Sequence, residues 1–204
     1  EPELPTTTVI IDSIEPEKVK PYPELWEDMV RYNQSIAAQG QSGLSCAYDY
    51  QKASFRLVDY GLPDEIFGVL SIPAIDLEMP IYLGATEQHM ADGAAHLSQT
   101  SLPIGGMDTN CVIAGHRGYS GASYFRYLDQ LHVGDRVSVT NLWETLNYRV
   151  CEIRIIAPSD VEEILIQPGR ELLTLLTCHP YASGGRQRYV VYCERSELTT
   201  FPTS

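Results

Sequence analysis

The chain has 204 residues, 44% of them hydrophobic and 20% charged, which is ordinary for a globular protein that buries one substantial core. Its formal net charge of −13 at pH 7 argues against nucleic acid as a partner, because phosphates would be repelled. The first residues, EPELPTTT, lack the basic start and apolar stretch of a signal peptide, and no run of 18 or more apolar residues exists to span a membrane.

The first 60 residues predict a tail, a helix and a connection ahead of the main domain. Residues 1–20 have the composition of a tail. From Pro23 an apolar stripe at three- and four-residue spacing predicts a helix, and Gly40 ends it. Residues 41–65 form a polar connection with several tyrosines. We therefore expect an N-terminal helical appendage over residues 1–60.

From Phe67 onward the pattern changes to short β-prone runs broken by proline and glycine. These runs are FGVLSIP, MPIYLG, NCVIAGH, RVSVT, TLNYRVCEIRII, LLTLLTC and RYVVYCE. A single short helical stretch is predicted within EQHMADGAAHL. The pattern is typical of an all-β barrel or sandwich, which we assign to residues 61–204.

The cysteines and histidines do not form a disulfide scaffold or a metal motif. Five cysteines without a CxxC pair are too few to staple a chain of this length, and the odd number leaves a thiol unpaired. The five histidines show neither HxxxH nor HExxH spacing, so we expect no metal. Cys111, Cys151 and Cys193 lie inside β-prone runs and are expected to be buried core thiols.

Two β-prone runs end on reactive side chains, His116 and Cys178, and strand ends of this kind can meet at one end of a barrel. A cysteine attacks as the thiolate, and a neighbouring imidazole both favours that form and later protonates a leaving amine. Arg188 opens the last run and could hold a substrate carbonyl or an oxyanion. By residue type alone, each of the three is more often a structural residue.

The motifs TLLTC and AGHRG, with an arginine that opens the last strand, resemble those of the sortases, the cysteine transpeptidases of Gram-positive bacteria. GAAHLSQTSLPIGG ahead of them most resembles class C, the pilus-assembling branch, and the similarity runs from about residue 64 to residue 195. The resemblance implies a closed β-barrel of about eight strands. It also implies that Cys178 is the nucleophile, His116 the acid/base and Arg188 the residue that positions the oxyanion or substrate.

The function implied by this resemblance is cleavage of an LPxTG-like sorting signal between Thr and Gly through a thioester. An amine, a pilin lysine in class C, would then resolve the thioester into an isopeptide bond, and this chemistry implies no cofactor. The enzyme would work at the extracellular face of the Gram-positive membrane, with membrane contact only through segments outside this chain. Two alternatives stay open, a cell-wall anchoring sortase that uses a peptidoglycan amine and a non-catalytic module that binds sorting signals.

Four residues near the motifs need separate interpretation. Thr177, directly before the nucleophile, and His96, within the class C-like stretch, are candidate substrate-binding residues. His179 follows the nucleophile and could perturb the thiolate or point into solvent, and we expect the second. Arg186 competes with Arg188 for the cationic role, but only Arg188 directly precedes the apolar strand YVVY.

Residues 41–52 occupy the position where class C enzymes place a lid over the active site. The Asp-Pro-aromatic triplet that usually fixes this lid is missing, and the nearest substitute is SCAYDY. The lid candidates are therefore Cys46, Tyr48 and Tyr50. We expect a weak or unconventional lid, and the alternative is a mobile linker that leaves the cleft open.

Overall fold

The computed structural model describes residues 20–44, 52–118, 121–182 and 184–197. Within them, eight strands close into a barrel in the order β1-β2-β3-β4-β7-β8-β6-β5. The strands are β1 (Ile66–Ile72), β2 (Leu77–Leu83), β3 (Ala94–His96), β4 (Thr109–Ala114), β5 (Arg136–Asn141), β6 (Thr145–Ile156), β7 (Glu171–His179) and β8 (Gln187–Arg195). The α-helices are α1 (Pro23–Gln39) and α2 (Glu87–Asp92). The predicted all-β class and the eight-stranded barrel are confirmed.

The stretch predicted to be a single short helix contains a helix and a strand. Helix α2 ends at Asp92, and Ala94–His96 then forms β3. This short strand pairs in parallel with β2 and antiparallel with β4, so it closes the barrel between them. Three residues are too few to show a period of two, and alanine favours helix, so only the tertiary pairing could reveal β3.

Strand β4 and most of β7 and β8 are buried on both faces, which accounts for their nearly continuous apolar sequence. Inward-facing side chains join the barrel core, which includes Cys111, Ile113, Leu173, Leu175, Val191 and Cys193. Outward-facing side chains form a second cluster beneath the connecting segments, which includes Val112, Ala114, Leu176, Val190 and Tyr192. The outer face of these three strands is therefore also packed, and packing on both faces restrains the residues at the strand ends.

Helix α1 begins at Pro23 and ends before Gly40, as the sequence predicts, and it packs on the barrel. Leu25 and Met29 are fully buried in one cluster with Phe67 of β1. This cluster crosses the predicted boundary at residue 60, and the boundary itself stays a prediction. Neither helix in the described ranges is long and apolar enough to cross a lipid bilayer.

The prediction of buried core thiols holds for Cys111 and Cys193 but is wrong for Cys151, which is only half-buried. In the pairing of β6 with β8, the register shifts between Val150 and Glu152, so Cys151 is the extra residue of a β-bulge. A bulge breaks the alternation of faces along a strand. The sequence pattern of β6 does not reveal where that break falls.

Replacing Met29 by Ala tests whether α1 is an integral part of the domain. The change should lower the free energy of unfolding of the barrel by about 2–5 kcal/mol, the range for truncating a fully buried methionine. Denaturant titration followed by far-UV circular dichroism measures it. Glu27→Ala, on an exposed position of the same helix, should stay within about 0.5 kcal/mol of the parent. If the denaturant concentration at the midpoint of barrel unfolding is the same in Met29→Ala as in the parent, α1 is a separable appendage.

Candidate active site

The strand register brings Cys178 and Arg188 together. Strands β7 and β8 are antiparallel, and Cys178 lies directly opposite Arg188. Side chains of opposed residues point to the same face of a sheet. Leu176 and Val190, two residues away on each strand, belong to the outer cluster, so the period of two puts the thiol and the guanidinium on the outer face.

His116 reaches the same region because β4 runs parallel to β7. The backbone N–H of Gly115 donates to the carbonyl of Leu176 at 3.1 Å, so the ladder continues one residue beyond β4. The hydroxyl of Thr177 donates to the carbonyl of Gly115 at 2.7 Å. Both bonds fix the residue before His116, and the histidine therefore leaves the sheet alongside Cys178.

The loop that follows His116 folds back against it. The N–H of Phe125 donates to the carbonyl of His116 at 2.9 Å. A Cβ atom on Gly115 would lie 2.8 Å from the Phe125 ring, so glycine is required for this ring to cover the backbone. The ring of Tyr124 stands edge-on to the imidazole, with the ring centroids 6.4 Å apart. Backbone bonds and aromatic packing thus position the imidazole after the strand has ended.

Arg188, and not Arg186, has the environment of a site residue. Arg188 is 8% exposed, and its Nη1 donates to the carbonyls of Gly185 at 2.7 Å and Gln187 at 3.1 Å. Arg186 is exposed. The point where a Cβ of Gly185 would stand is 3.2 Å from Sγ of Cys178 and 3.3 Å from Nη1 of Arg188. Since Gly185 also has a φ of +76°, the loop leaves no room for a side chain beside the thiol.

The two candidate substrate-binding residues are engaged inside the fold. Thr177 is fully buried, and its hydroxyl donates a hydrogen bond to the carbonyl of Gly115. His96 is also fully buried, with Nε2 3.1 Å from the carbonyl of Thr100, and burial lowers its pKa to about 4. His96 is therefore neutral at physiological pH. For both residues, a direct contact with substrate stays a prediction.

Burial and nearby charge have opposite effects on the pKa of the Cys178 thiol. Burial raises the pKa of the Cys178 thiol, while the guanidinium groups of Arg188 and Arg117 lower it, and burial is the larger effect. Burial also lowers the pKa of His116. The neutral thiol and the neutral imidazole therefore predominate at neutral pH, and the reactive thiolate with an imidazolium is a minor form of the pair.

The expectation that His179 points into solvent is wrong. Its Nδ1 accepts a hydrogen bond from Nη1 of Arg117 at 2.8 Å, and its ring lies 5.6 Å from that of Tyr189. Burial and the Arg117 charge lower the pKa of His179, and the nearby Asp129 opposes them. The residue after the nucleophile is thus held in a contact that the sequence did not predict.

Arg117 is the functional candidate that the sequence analysis missed. Its side chain is almost completely buried and forms an ion pair with Asp129. The same guanidinium also donates to the backbone carbonyl of Cys178 at 3.4 Å. The signal was its place within AGHRG, directly after His116, but an arginine in a loop is by default a solvated residue.

The lid candidates Cys46, Tyr48 and Tyr50 lie in residues 45–51, outside the described residues. The segment's two flanks are described. The side chain of Gln41 donates to the carbonyl of Gln99 at 2.8 Å, and the carbonyl of Lys52 accepts from the hydroxyl of Ser98 at 2.6 Å. Both flanks therefore rest on the loop that follows β3, and a lid formed by the residues between them stays a prediction.

The side chains at this end of the barrel supply the groups that acyl transfer requires. The thiol of Cys178 is a nucleophile, the imidazole of His116 can move a proton, and the guanidinium of Arg188 can stabilise an oxyanion. In the described part of the chain, no three His, Cys, Asp or Glu side chains are close enough to share a metal ion. The arrangement supports covalent catalysis by a thiolate.

Known proteins with related sequences and structures fit this chemistry. A family model described as a sortase domain matches residues 70–196, more than half of the chain. Sortase D of Bacillus subtilis (strain 168) is 30% identical over 132 residues, which cover 63% of this chain and 63% of that protein. Sortase A of Streptococcus agalactiae is 29% identical over 156 residues, covering 74% of this chain and 60% of that protein. The chain thus spans less than two thirds of both relatives.

A solved structure described as sortase C1 of GBS Pilus Island 1 has the same architecture. It superposes with a TM-score of 0.76 at 31% identity, covering 93% of this chain and 89% of that one. The similarity therefore covers more of this chain than the barrel alone.

The pH dependence of alkylation at Cys178 tests the balance between burial and charge. Because burial raises the thiol pKa, the rate of labelling by iodoacetamide should have its midpoint on the alkaline side of that for a cysteine in a short unstructured peptide. Peptide mapping by mass spectrometry assigns the label to Cys178 and separates it from the half-buried Cys151. A midpoint more acidic than that of the peptide would mean that the cations outweigh burial.

Proposed function

The chain belongs to the sortase family, and from that premise we propose that it is a cysteine transpeptidase that cleaves an LPxTG-like sorting signal between Thr and Gly. The observation that supports this most strongly is the register pair of Cys178 and Arg188 on the outer face, beside His116. All three residues fall within the region that the family model matches. The substrates and partners of the whole protein are part of the same proposal.

The first half-reaction forms a thioester. The thiolate of Cys178 attacks the carbonyl carbon of the substrate threonine, and the carbonyl oxygen takes up the negative charge. The guanidinium of Arg188 stabilises this oxyanion, because a fixed cation in a partly buried site interacts more strongly with charge than it would in water. The C–N bond to glycine then breaks, and the imidazolium of His116 gives its proton to the departing amine.

The second half-reaction returns the enzyme to its starting state. An acceptor amine attacks the thioester carbonyl, and the now neutral His116 takes a proton from it. The C–S bond breaks, the Cys178 thiolate leaves, and a new amide bond joins the sorting signal to the acceptor. When the amine belongs to a lysine side chain, the product is an isopeptide bond. Side chains of this chain carry out every proton transfer of the proposed reaction, which requires no cofactor.

The acceptor that we propose is a lysine of a pilin subunit, and the site of action is the extracellular face of a Gram-positive cell membrane. Support for the acceptor comes from the similarity in structure to a sortase C1 that is described as belonging to a pilus island. The competing acceptor is a peptidoglycan amine. A non-catalytic module for sorting signals is disfavoured, because simple binding does not require a thiol beside a histidine and an arginine.

Cys178→Ala should abolish both cleavage of an LPxTG-type peptide and formation of an acyl adduct, because in the described part of the chain Cys178 is the thiol that lies beside Arg188. Intact-protein mass spectrometry after incubation with the peptide detects the adduct. Cys151→Ala is the matched control, since it removes another partly exposed thiol and should leave cleavage and adduct unchanged. Continued peptide cleavage by Cys178→Ala would refute the proposed nucleophile.

The same assay with competing acceptors tests the role in pilus assembly. We expect a lysine-containing pilin peptide to capture the acyl group in preference to an amine that mimics the cell-wall peptide. Preferential transfer to the cell-wall mimic would favour the anchoring alternative. An enzyme that binds the sorting peptide without forming any adduct would favour the binding module.

Arg188→Lys should reduce kcat by about 10²–10³-fold, the usual effect of removing one donor to an oxyanion. An ammonium keeps the charge, but it cannot reproduce the planar fork that contacts the β7–β8 loop and the substrate together. Steady-state cleavage of the sorting peptide measures the loss. Arg186→Ala, in the same loop but exposed, should keep kcat near the parent value. If both variants fold, and Arg186→Ala loses kcat while Arg188→Lys keeps it, the cationic role belongs to Arg186.

A further inference from the structure

Arg117 connects the two parts of the chain that carry the proposed acid/base and nucleophile. It follows His116 directly, yet its guanidinium reaches across to β7, whose end carries Cys178. Its Nη1 is 3.4 Å from the carbonyl oxygen of Cys178 and 2.8 Å from Nδ1 of His179. One buried group thus contacts the backbone of the nucleophile and the side chain that follows it.

The orientation of this guanidinium is set on its other side by an ion pair. Nη2 of Arg117 binds the carboxylate of Asp129, in the short 3₁₀ turn Leu128–Gln130. The Arg117 side chain is 5% exposed and that of Asp129 44%, so the carboxylate meets solvent while the guanidinium faces inward. The Tyr189 ring lies 5.6 Å from the Arg117 Cζ. A planar group held on two edges and one face has little freedom to turn.

The contact with His179 requires a neutral imidazole. Nη1 of Arg117 can only donate, so Nδ1 of His179 must accept, and the proton of the neutral ring is then on Nε2. Protonation of Nδ1 would remove the acceptor and put two cations side by side. The lowered pKa of His179 keeps the ring neutral, and the contact intact, at physiological pH.

We propose that Arg117 is a positioning residue: fixed by Asp129, it ties the loop that carries His116 to the strand end that carries Cys178 and keeps a positive charge next to the nucleophile. The proposal rests on the proposed function in naming Cys178 as the nucleophile. It assigns to Arg117 a task distinct from that of Arg188, since the Arg117 guanidinium contacts the carbonyl of Cys178, the ring of His179 and the carboxylate of Asp129.

The charged and titratable groups around the thiol come from three elements, and each affects the thiol titration. Arg188 faces it from β8, His116 and Arg117 come from the end of β4 and its following loop, and His179 lies next to it on β7. Removing the Arg117 charge while the other groups remain should make the thiolate harder to form. If Arg117 only stabilised the fold, its replacement would lower the midpoint of thermal unfolding and would not shift the titration of the Cys178 thiol.

The experiment compares the pH dependence of iodoacetamide labelling at Cys178 in the parent, Arg117→Met and Arg117→Lys, with the label quantified by peptide mapping. In Arg117→Met the midpoint should rise by about one pH unit, the lower end of the effect of a nearby opposite charge. Labelling at pH 7 should then be about tenfold slower, because the thiolate fraction falls in proportion. Arg117→Lys keeps the positive charge, so its labelling midpoint should lie close to that of the parent.

Arg170→Met is the matched control. Arg170 also forms an ion pair with a carboxylate, that of Glu194, but it lies just before the opposite end of β7. Its replacement removes the same charge and should leave the Cys178 midpoint unchanged. If Arg117→Met does not fold, Arg117→Gln, which retains an amide donor, is measured in its place. An unshifted midpoint in the folded neutral variant, or an equal shift in Arg170→Met, would overturn the proposal.

This readout separates the proposal from the proposed function. Iodoacetamide labels the thiolate without any peptide substrate, so the titration reports on Arg117 even if no sorting peptide is cleaved. Conversely, a parent enzyme that cleaves the peptide while its Arg117 variants show no shift would keep the proposed function and remove the role of Arg117.

Discussion

The antiparallel register between β7 and β8 is the constraint on which the site depends. It sets Cys178 opposite Arg188, and both point to the outer face of the barrel. A slip of one residue would send one of the two side chains to the opposite face of the sheet. The register is secured by continuous pairing from Leu172 to His179 and by burial on both faces along most of the strand, since a slip would exchange the side chains packed on the two faces and disrupt both clusters.

The third group of the site is positioned in a different way. His116 lies beyond the end of β4, so no strand register holds it. Its backbone is instead held by the bonds of Gly115 to Leu176 and Thr177, and by Phe125, which covers the glycine. The parallel pairing of β4 with β7 makes this possible, because both chains reach the same end of the barrel and continue into neighbouring loops. A rigid sheet therefore carries the thiol, and a braced loop carries the imidazole.

The local charge of the site is opposite to that of the whole chain. The protein has a formal net charge of −13, yet the Cys178 thiol lies near two buried arginines. Burial makes the thiolate costly, and the two guanidinium groups offset part of that cost. The offset is incomplete, so the thiol stays mainly protonated at neutral pH and the thiolate is a minor population.

The sequence alone determined the elements that depend on local pattern. Apolar runs with β-branched residues predicted seven of the eight strands, and the ends of two of these runs offered His116 and Cys178 as candidate site residues. Arg188 was preferred to Arg186 because it begins an apolar strand, and a residue in that position must follow the register of its neighbour. These features are encoded by residues that are close together in the chain.

The tertiary structure decided what depends on contacts between distant residues. Strand β3 exists because Ala94–His96 fits between β2 and β4, and Cys151 leaves the core because a bulge shifts its face. The contact of Arg117 with His179 joins residues 62 positions apart. No local pattern distinguishes that arginine from a solvated one, because its burial and its partners are produced only when β4 and β7 end side by side.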